Sequence, residues 1–196
     1  MFSYLLSQRS EFAGVAHCGP RPYNETMIVL PGYARVIRSL RTGEHPFLRV
    51  LPRVEESPAA RRIESEQMPL AALVKKGRVR IKPGDGYTWV DDEAPAIVLT
   101  ERYYREGSDA DLYLDLLHEL THLRQLAGGS DLWDENYRYV DRPTEIEAYA
   151  VAVEEGRRLG MTESEIFRHL SNPWISPGDV QLLLNNVERF LAPVRS

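Results

Sequence analysis

The chain has 196 residues, 43% of them hydrophobic and 27% charged, and its 24 Lys and Arg against 29 Asp and Glu give a net charge of −5. That is the balance of an ordinary soluble globular protein, long enough to bury a substantial core. The mild acidity argues against nucleic acid as the main partner. No run approaches the roughly 20 apolar residues of a membrane span, so a membrane partner is not expected either.

There is one cysteine, Cys18. An intramolecular disulfide is therefore excluded, and a lone thiol fits a reducing compartment. The N-terminal MFSYLLSQRSEFAGVAH has no basic region, and its apolar run is too short for a signal peptide. The expectation is a cytoplasmic protein of one domain spanning 1–196, with residues 1–30 an extended N-terminal segment marked by Pro20 and Pro22.

Pro31-Gly32 predicts a turn, and residues 33–42 read as a short helix closed by Gly43. Ser57-Pro58 starts another helix, with Ser as cap and Pro at the first helical position, running towards Gln67. A further short helix is expected from Pro69 to near Gly77. Val79 and Ile81 alternate with Arg78, Arg80 and Lys82, which predicts a strand. PGDG at 83–86 is a turn, Tyr87 and Trp89 lie in a second strand, and the apolar run 96–100 is a third. The sheet is expected to be small, antiparallel or mixed, and a three-stranded meander with hairpin connections is its simplest form.

From Ser108 onward the pattern is helical. One helix should run from a Ser108 or Asp109 cap to Ala127 and stop at Gly128-Gly129. A second starts around 141–144 and ends at Gly156 or Gly160. Thr162-x-x-Glu165 is a capping box that opens a third. Val180, Leu183, Leu184, Val187 and Leu191 share one face of a fourth, over 178–191. Strands followed by helices predict an α+β fold with a helical C-terminal part.

The segment that carries chemistry is Leu116-Leu117-His118-Glu119-Leu120-Thr121-His122-Leu123. Positions i and i+4 of a helix share a face, so His118 and His122 can reach one metal ion. Imidazole suits zinc, and a catalytic zinc takes three protein ligands plus water. Glu119 projects at a different angle, towards a water instead of the metal. Zinc supplies Lewis acidity, and Glu119 is then the general base that takes the proton of the attacking water. The plain alternative is an amphipathic helix with two partly exposed histidines. The uncharged residues around the motif weigh against it, because two polar rings buried there without a ligand would be unsatisfied.

The chain resembles the gluzincin branch of the zinc metallopeptidases, through HExxH and the downstream run Glu145-Ile-Glu147-Ala148-Tyr149-Ala-Val-Ala152. It looks most like the minimal gluzincins and the ImmA/IrrE-like peptidases, over roughly residues 96–156. Glu145, Ala148 and Ala152 match the pattern E-x-x-A-x-x-x-A. The resemblance implies a single zincin-like metallopeptidase domain. Its sheet would pack against the HExxH helix and a second ligand-bearing helix. It also implies Glu145 as third zinc ligand and a peptide or protein substrate bound along a sheet edge.

Glu147 competes with Glu145, but the two lie about 200° apart around a helix, so one alone faces the metal. Glu147 has another role open to it, as capping-box partner of Thr144. Tyr149 stands where many gluzincins have an aspartate that orients a zinc histidine. Its hydroxyl could substitute, or Asp115 could, unless Asp115 is a solvated helix residue. Tyr137, Tyr139, Tyr149 and His169 are candidates for stabilising an oxyanion, with Tyr139 and Tyr149 preferred. Cys18 could reach the open position of a zinc ion, although an ordinary thiol is the simpler reading.

A different class of function stays open: a zincin-fold regulatory or protein-binding module with a structural metal. Intact HExxH favours the enzyme, since such a module has no need of Glu119. A deformylase would need a cysteine ligand in a local motif, and Cys18 is not in one. The sequence leaves cleavage specificity and oligomeric state open.

Overall fold

A computed structural model of the protein describes residues 28–193. The readings of Cys18 and of most of the N-terminal segment lie outside these residues. The fold is α+β, with one mixed sheet and a helical C-terminal part. The strands are β1 (Gly43–Pro46), β2 (Arg78–Lys82), β3 (Thr88–Asp91) and β4 (Ala96–Thr100). Eight α-helices are described. The shorter ones are α1 (Phe47–Val50), α2 (Pro58–Ile63), α3 (Leu70–Lys76) and α4 (Glu101–Glu106). The others are α5 (Asp109–Ala127), α6 (Pro143–Arg158), α7 (Glu163–Leu170) and α8 (Pro177–Leu191).

The sheet corrects the expected meander. Its order is β1-β2-β4-β3, with β2 and β4 parallel and the outer pairs antiparallel. The reason is apolarity. Every residue of β4 is buried, so this run needs a neighbour on each side and cover on both faces. β3 is only partly buried and takes an edge. Gly84 and Gly86, at φ of 121° and 126°, let the chain leave β2 and enter β3 beyond β4 instead of beside β2. The β3–β4 connection is a hairpin turn in which Asp91 accepts from the Ala94 amide at 3.2 Å.

The helix expected over 33–42 does not form either. A single 3-10 turn at Gly32–Ala34 leads into extended chain and then β1. Tertiary partners satisfy this backbone. The Ile37 amide donates to the Val50 carbonyl at 2.8 Å, and the Tyr104 hydroxyl donates to the Ile37 carbonyl. Ala34, Val36 and Leu40 are buried on one side of the extended run.

Elsewhere local signals and structure agree. Ser57, Ser108 and Ser176 each accept an amide hydrogen bond as helix caps. Thr162 and Glu165 form both halves of the capping box. The helix that Ser57 starts ends at Ile63, short of the Gln67 expected. None of the described helices is long and apolar enough to cross a membrane.

Helix α5 is buried on almost every side from Leu112 to Gln125, and α6 lies along it. Ala148 and Ala152 have no exposed surface, which places the α6 backbone close to its neighbour. The two helices are also tied by polar groups. The Tyr113 hydroxyl contacts Ser57 Oγ at 2.7 Å and donates to Glu155 Oε1 at 2.8 Å. Arg158 donates twice to Glu155, at 2.6 Å each time, so the buried carboxylate is neutralised. Tyr113→Phe should leave packing intact yet remove both contacts. A loss of about 1–3 kcal/mol is expected, because a buried acceptor is left short of a donor. Urea unfolding checks it, and an unchanged midpoint would mean the hydroxyl contributes nothing.

Candidate metal centre

Helix α5 carries His118, Glu119 and His122, all buried. Pro143 occupies the first position of α6 and places Glu145 in its first turn, where the positive end of the helix favours a carboxylate. The structure brings these two helix segments face to face. The two Nε2 atoms lie 2.9 Å apart, and each is 3.5 Å from Glu145 Oε2. Ligands at zinc-like distances around a tetrahedral ion lie about 3.3–3.6 Å apart, so the triangle is close to that size. His118, His122 and Glu145 form a buried group that could hold a metal ion.

An orphaned atom supports the fit. Glu145 Oε2 is fully buried and has no hydrogen-bond partner, although it points at both histidines. A buried carboxylate oxygen is costly unless a donor or a cation meets it. Arg142 is 4.0 Å from the other oxygen, Oε1, too far for a hydrogen bond.

The charges carry the same demand. Burial would raise Glu145, yet the histidines, His122 foremost, hold it well below the usual carboxylate range. Burial and the neighbouring His122 push His118 down to about 4. His122 is carried up to about 9, against burial, chiefly by the Glu145 charge. The group therefore favours positive charge at its centre, which a divalent cation would supply.

Glu147 is not the capping partner of Thr144. Pro143 shifts the cap back to Arg142, so Thr144 lies inside the first turn and its hydroxyl is without a partner. Glu147 instead pairs with Arg124 at 2.6 Å and accepts from Gln125 Nε2 at 2.7 Å. Gln125 was not anticipated. Its signal was present as a glutamine three residues after His122, one turn along the same helix face.

Glu119 is 5% exposed, and no hydrogen bond is made to its carboxylate among the described residues. Burial raises it to about 8, with the Glu145 and Asp115 charges adding to that. The Tyr149 ring packs edge-on against His118, with centroids 4.3 Å apart. Its hydroxyl lies 2.7 Å from that of Tyr139 and does not orient His118, whose Nδ1 is without a partner. Tyr139 joins the same wall, whereas Tyr137 is exposed.

Asp115 is partly buried, with its side chain 22% exposed, and is not a partner of His118. It accepts from the Tyr103 hydroxyl and lies 3.6 Å from His169 Nε2. The Nδ1 of His169 meets Asp111 at 3.0 Å. His169 thus belongs to a bridge from α7 to the first turns of α5.

No protein-family model, curated protein or solved structure matches the chain.

The His169 bridge has a pH signature. Burial would lower His169, but Asp115 and Asp111 outweigh it and the ring is raised above its ordinary value. A raised folded pKa gives stability that is complete below the unfolded value, about 6.5, and fades as pH rises through the folded value. His169→Gln should therefore cost more at pH 6 than at pH 9. The difference should be about 1 kcal/mol, at the low end for charged hydrogen bonds because the Asp111 side chain is 36% exposed. Denaturant midpoints at both pH values test it, and equal losses would refute the bridge.

Proposed function

We propose that the chain is a zinc-dependent hydrolase of gluzincin type that cleaves peptide bonds. The observation that carries this is the buried His118–His122–Glu145 triangle with the Glu119 carboxylate beside it. His118, His122 and Glu145 would hold the ion. When bound, zinc supplies Lewis acidity that polarises a carbonyl and makes water more acidic.

Glu119 does the proton work. Among the described residues its carboxylate has no hydrogen bond to give up, so it can take a proton from the attacking water and pass it to the leaving amine. Burial favours its protonated form, and a neighbouring cation acts in the opposite direction. The Tyr139–Tyr149 pair offers the oxyanion a donor. Two hydroxyls that share one hydrogen bond leave one O–H unspent. Both phenols stay protonated, since burial raises them.

The choice of a peptide substrate is supported by the resemblance in the HExxH and glutamate helices and by the sheet. β3 lies at the sheet edge and packs near α5. An edge strand presents main-chain donors and acceptors to any extended peptide. The lone Cys18 supports a cytoplasmic location. A module with a structural metal would leave Glu119 without a task.

Elemental analysis should find about one zinc per chain, and His118→Ala, His122→Ala or Glu145→Gln should each lose it. Glu119→Gln should keep the metal while hydrolysis falls about 10²–10⁴-fold. A digest of a broad peptide library is the readout. A zinc-loaded wild type that cleaves nothing would return the chain to the non-enzymatic class.

A further inference from the structure

We infer that Gln125 is a positioning residue. It fixes the tautomer of His122 and fastens the two ligand-bearing helices to each other. The inference rests on the zinc site proposed above and adds a part that the metal ligands alone do not provide.

The argument starts from which groups can only accept. Gln125 is 1% exposed, so its amide must be satisfied by protein. One end of that amide faces the Thr144 carbonyl at 3.0 Å and a Glu147 carboxylate oxygen at 2.7 Å. A carbonyl and an ionised carboxylate both lack hydrogens. The NH₂ group must therefore point towards them, and its two hydrogens are used there. The Gln125 oxygen is left facing His122 Nδ1, at 2.7 Å. That oxygen can only accept, so Nδ1 must carry the proton. The lone pair of a neutral His122 then resides on Nε2, the atom aimed at Glu145 and His118.

The same four groups hold the helices in register. Gln125 and His122 are on α5, and Thr144 and Glu147 are on α6. Thr144 immediately precedes Glu145, so the hydrogen bond to its carbonyl also sets where the third ligand begins. Arg124 holds Glu147 in place at 2.6 Å, which keeps the acceptor behind Gln125 fixed. His118 has no equivalent, because its Nδ1 is unpartnered. The ordering is thus concentrated on one histidine.

The test compares zinc affinity, by competition with a chromophoric chelator, in three full-length chains. Gln125→Met keeps the volume and removes the acceptor. Affinity should fall about 10–100-fold, as when other hydrogen-bond partners of metal-bound histidines are lost. The double variant Gln125→Glu with Glu147→Gln reverses the polarity. It keeps an acceptor against His122 and places an amide donor behind it, while the Thr144 carbonyl loses its donor, so it should recover part of the loss. In zinc-loaded protein, nitrogen-15 spectra should show a slowly exchanging Nδ1 proton on His122 in the wild type and the double variant, and none in Gln125→Met.

Unchanged affinity in Gln125→Met overturns the inference. So does a double variant that binds no better than the single one. If Gln125→Met fails to fold, the double variant decides: retained affinity with the slow proton supports the assignment, and loss of both refutes it. A wild type that takes up zinc but hydrolyses no peptide overturns the hydrolase reading and leaves this comparison standing. A wild type that takes up no zinc overturns both.

Discussion

Two imidazoles and a carboxylate are buried together where α5 meets α6, and the rest of the architecture is arranged around that juxtaposition. Polar groups out of water must be paired, and a carboxylate must meet positive charge. Neighbouring features serve the arrangement. The alanines at 148 and 152 draw the α6 backbone inward. Pro143 starts α6 early enough to aim Glu145 at the histidines. β4 and the helices bury α5 nearly all round, so the motif lies in a low-dielectric setting. Electrostatic interactions are strongest in that setting, and an unmet charge costs most there.

The burial of α5 also explains a division of labour along it. Its first turns carry Asp111 and Asp115, tied to His169 and Tyr103. Its middle carries Tyr113, tied to Ser57 and Glu155. Its later turns carry His118, Glu119, His122 and Gln125. The polar side chains of the first two groups have partners inside the protein. Among the described residues, buried atoms without one gather around the third group, at His118 Nδ1 and Arg124 Nε on α5 and at Glu145 Oε2 on α6. An incompletely satisfied polar cluster is the setting in which a bound cation would be favoured.

Much of this was legible in the sequence where the signal is local. Caps at Ser57, Ser108 and Thr162 act through neighbours three residues away, so spacing reveals them. HExxH is legible for the same reason: one turn of helix defines it. Helical angle shows that only one of Glu145 and Glu147 faces the histidines, whereas the choice of Glu145 came from the resemblance and from a capping role for Glu147 that the structure does not bear out. The sheet order was not legible. It depends on which strand is most enclosed, and β4 competes for the centre with partners far away in the chain. The segment 33–42 has a helical pattern, but the Tyr104 hydroxyl and the Val50 carbonyl offer its backbone better partners. Gln125 lay hidden because its meaning depends on Thr144 and Glu147, on another helix.

Tyr149 suits the same geometry. A carboxylate at that position of α6 would add a second negative charge beside Glu145, close to His118. Tyr149 brings a neutral ring instead, packed edge-on against His118, and places its hydroxyl against that of Tyr139. His118 is then held by packing and His122 by hydrogen bonding. On the other ligand-bearing face the Glu147 carboxylate reaches His122 through the Gln125 amide. A negative charge thus lies behind His122, relayed through an amide. The amide keeps the tautomer fixed without placing a further anion in direct contact with the ring, in a cluster that already carries Glu119 and Glu145.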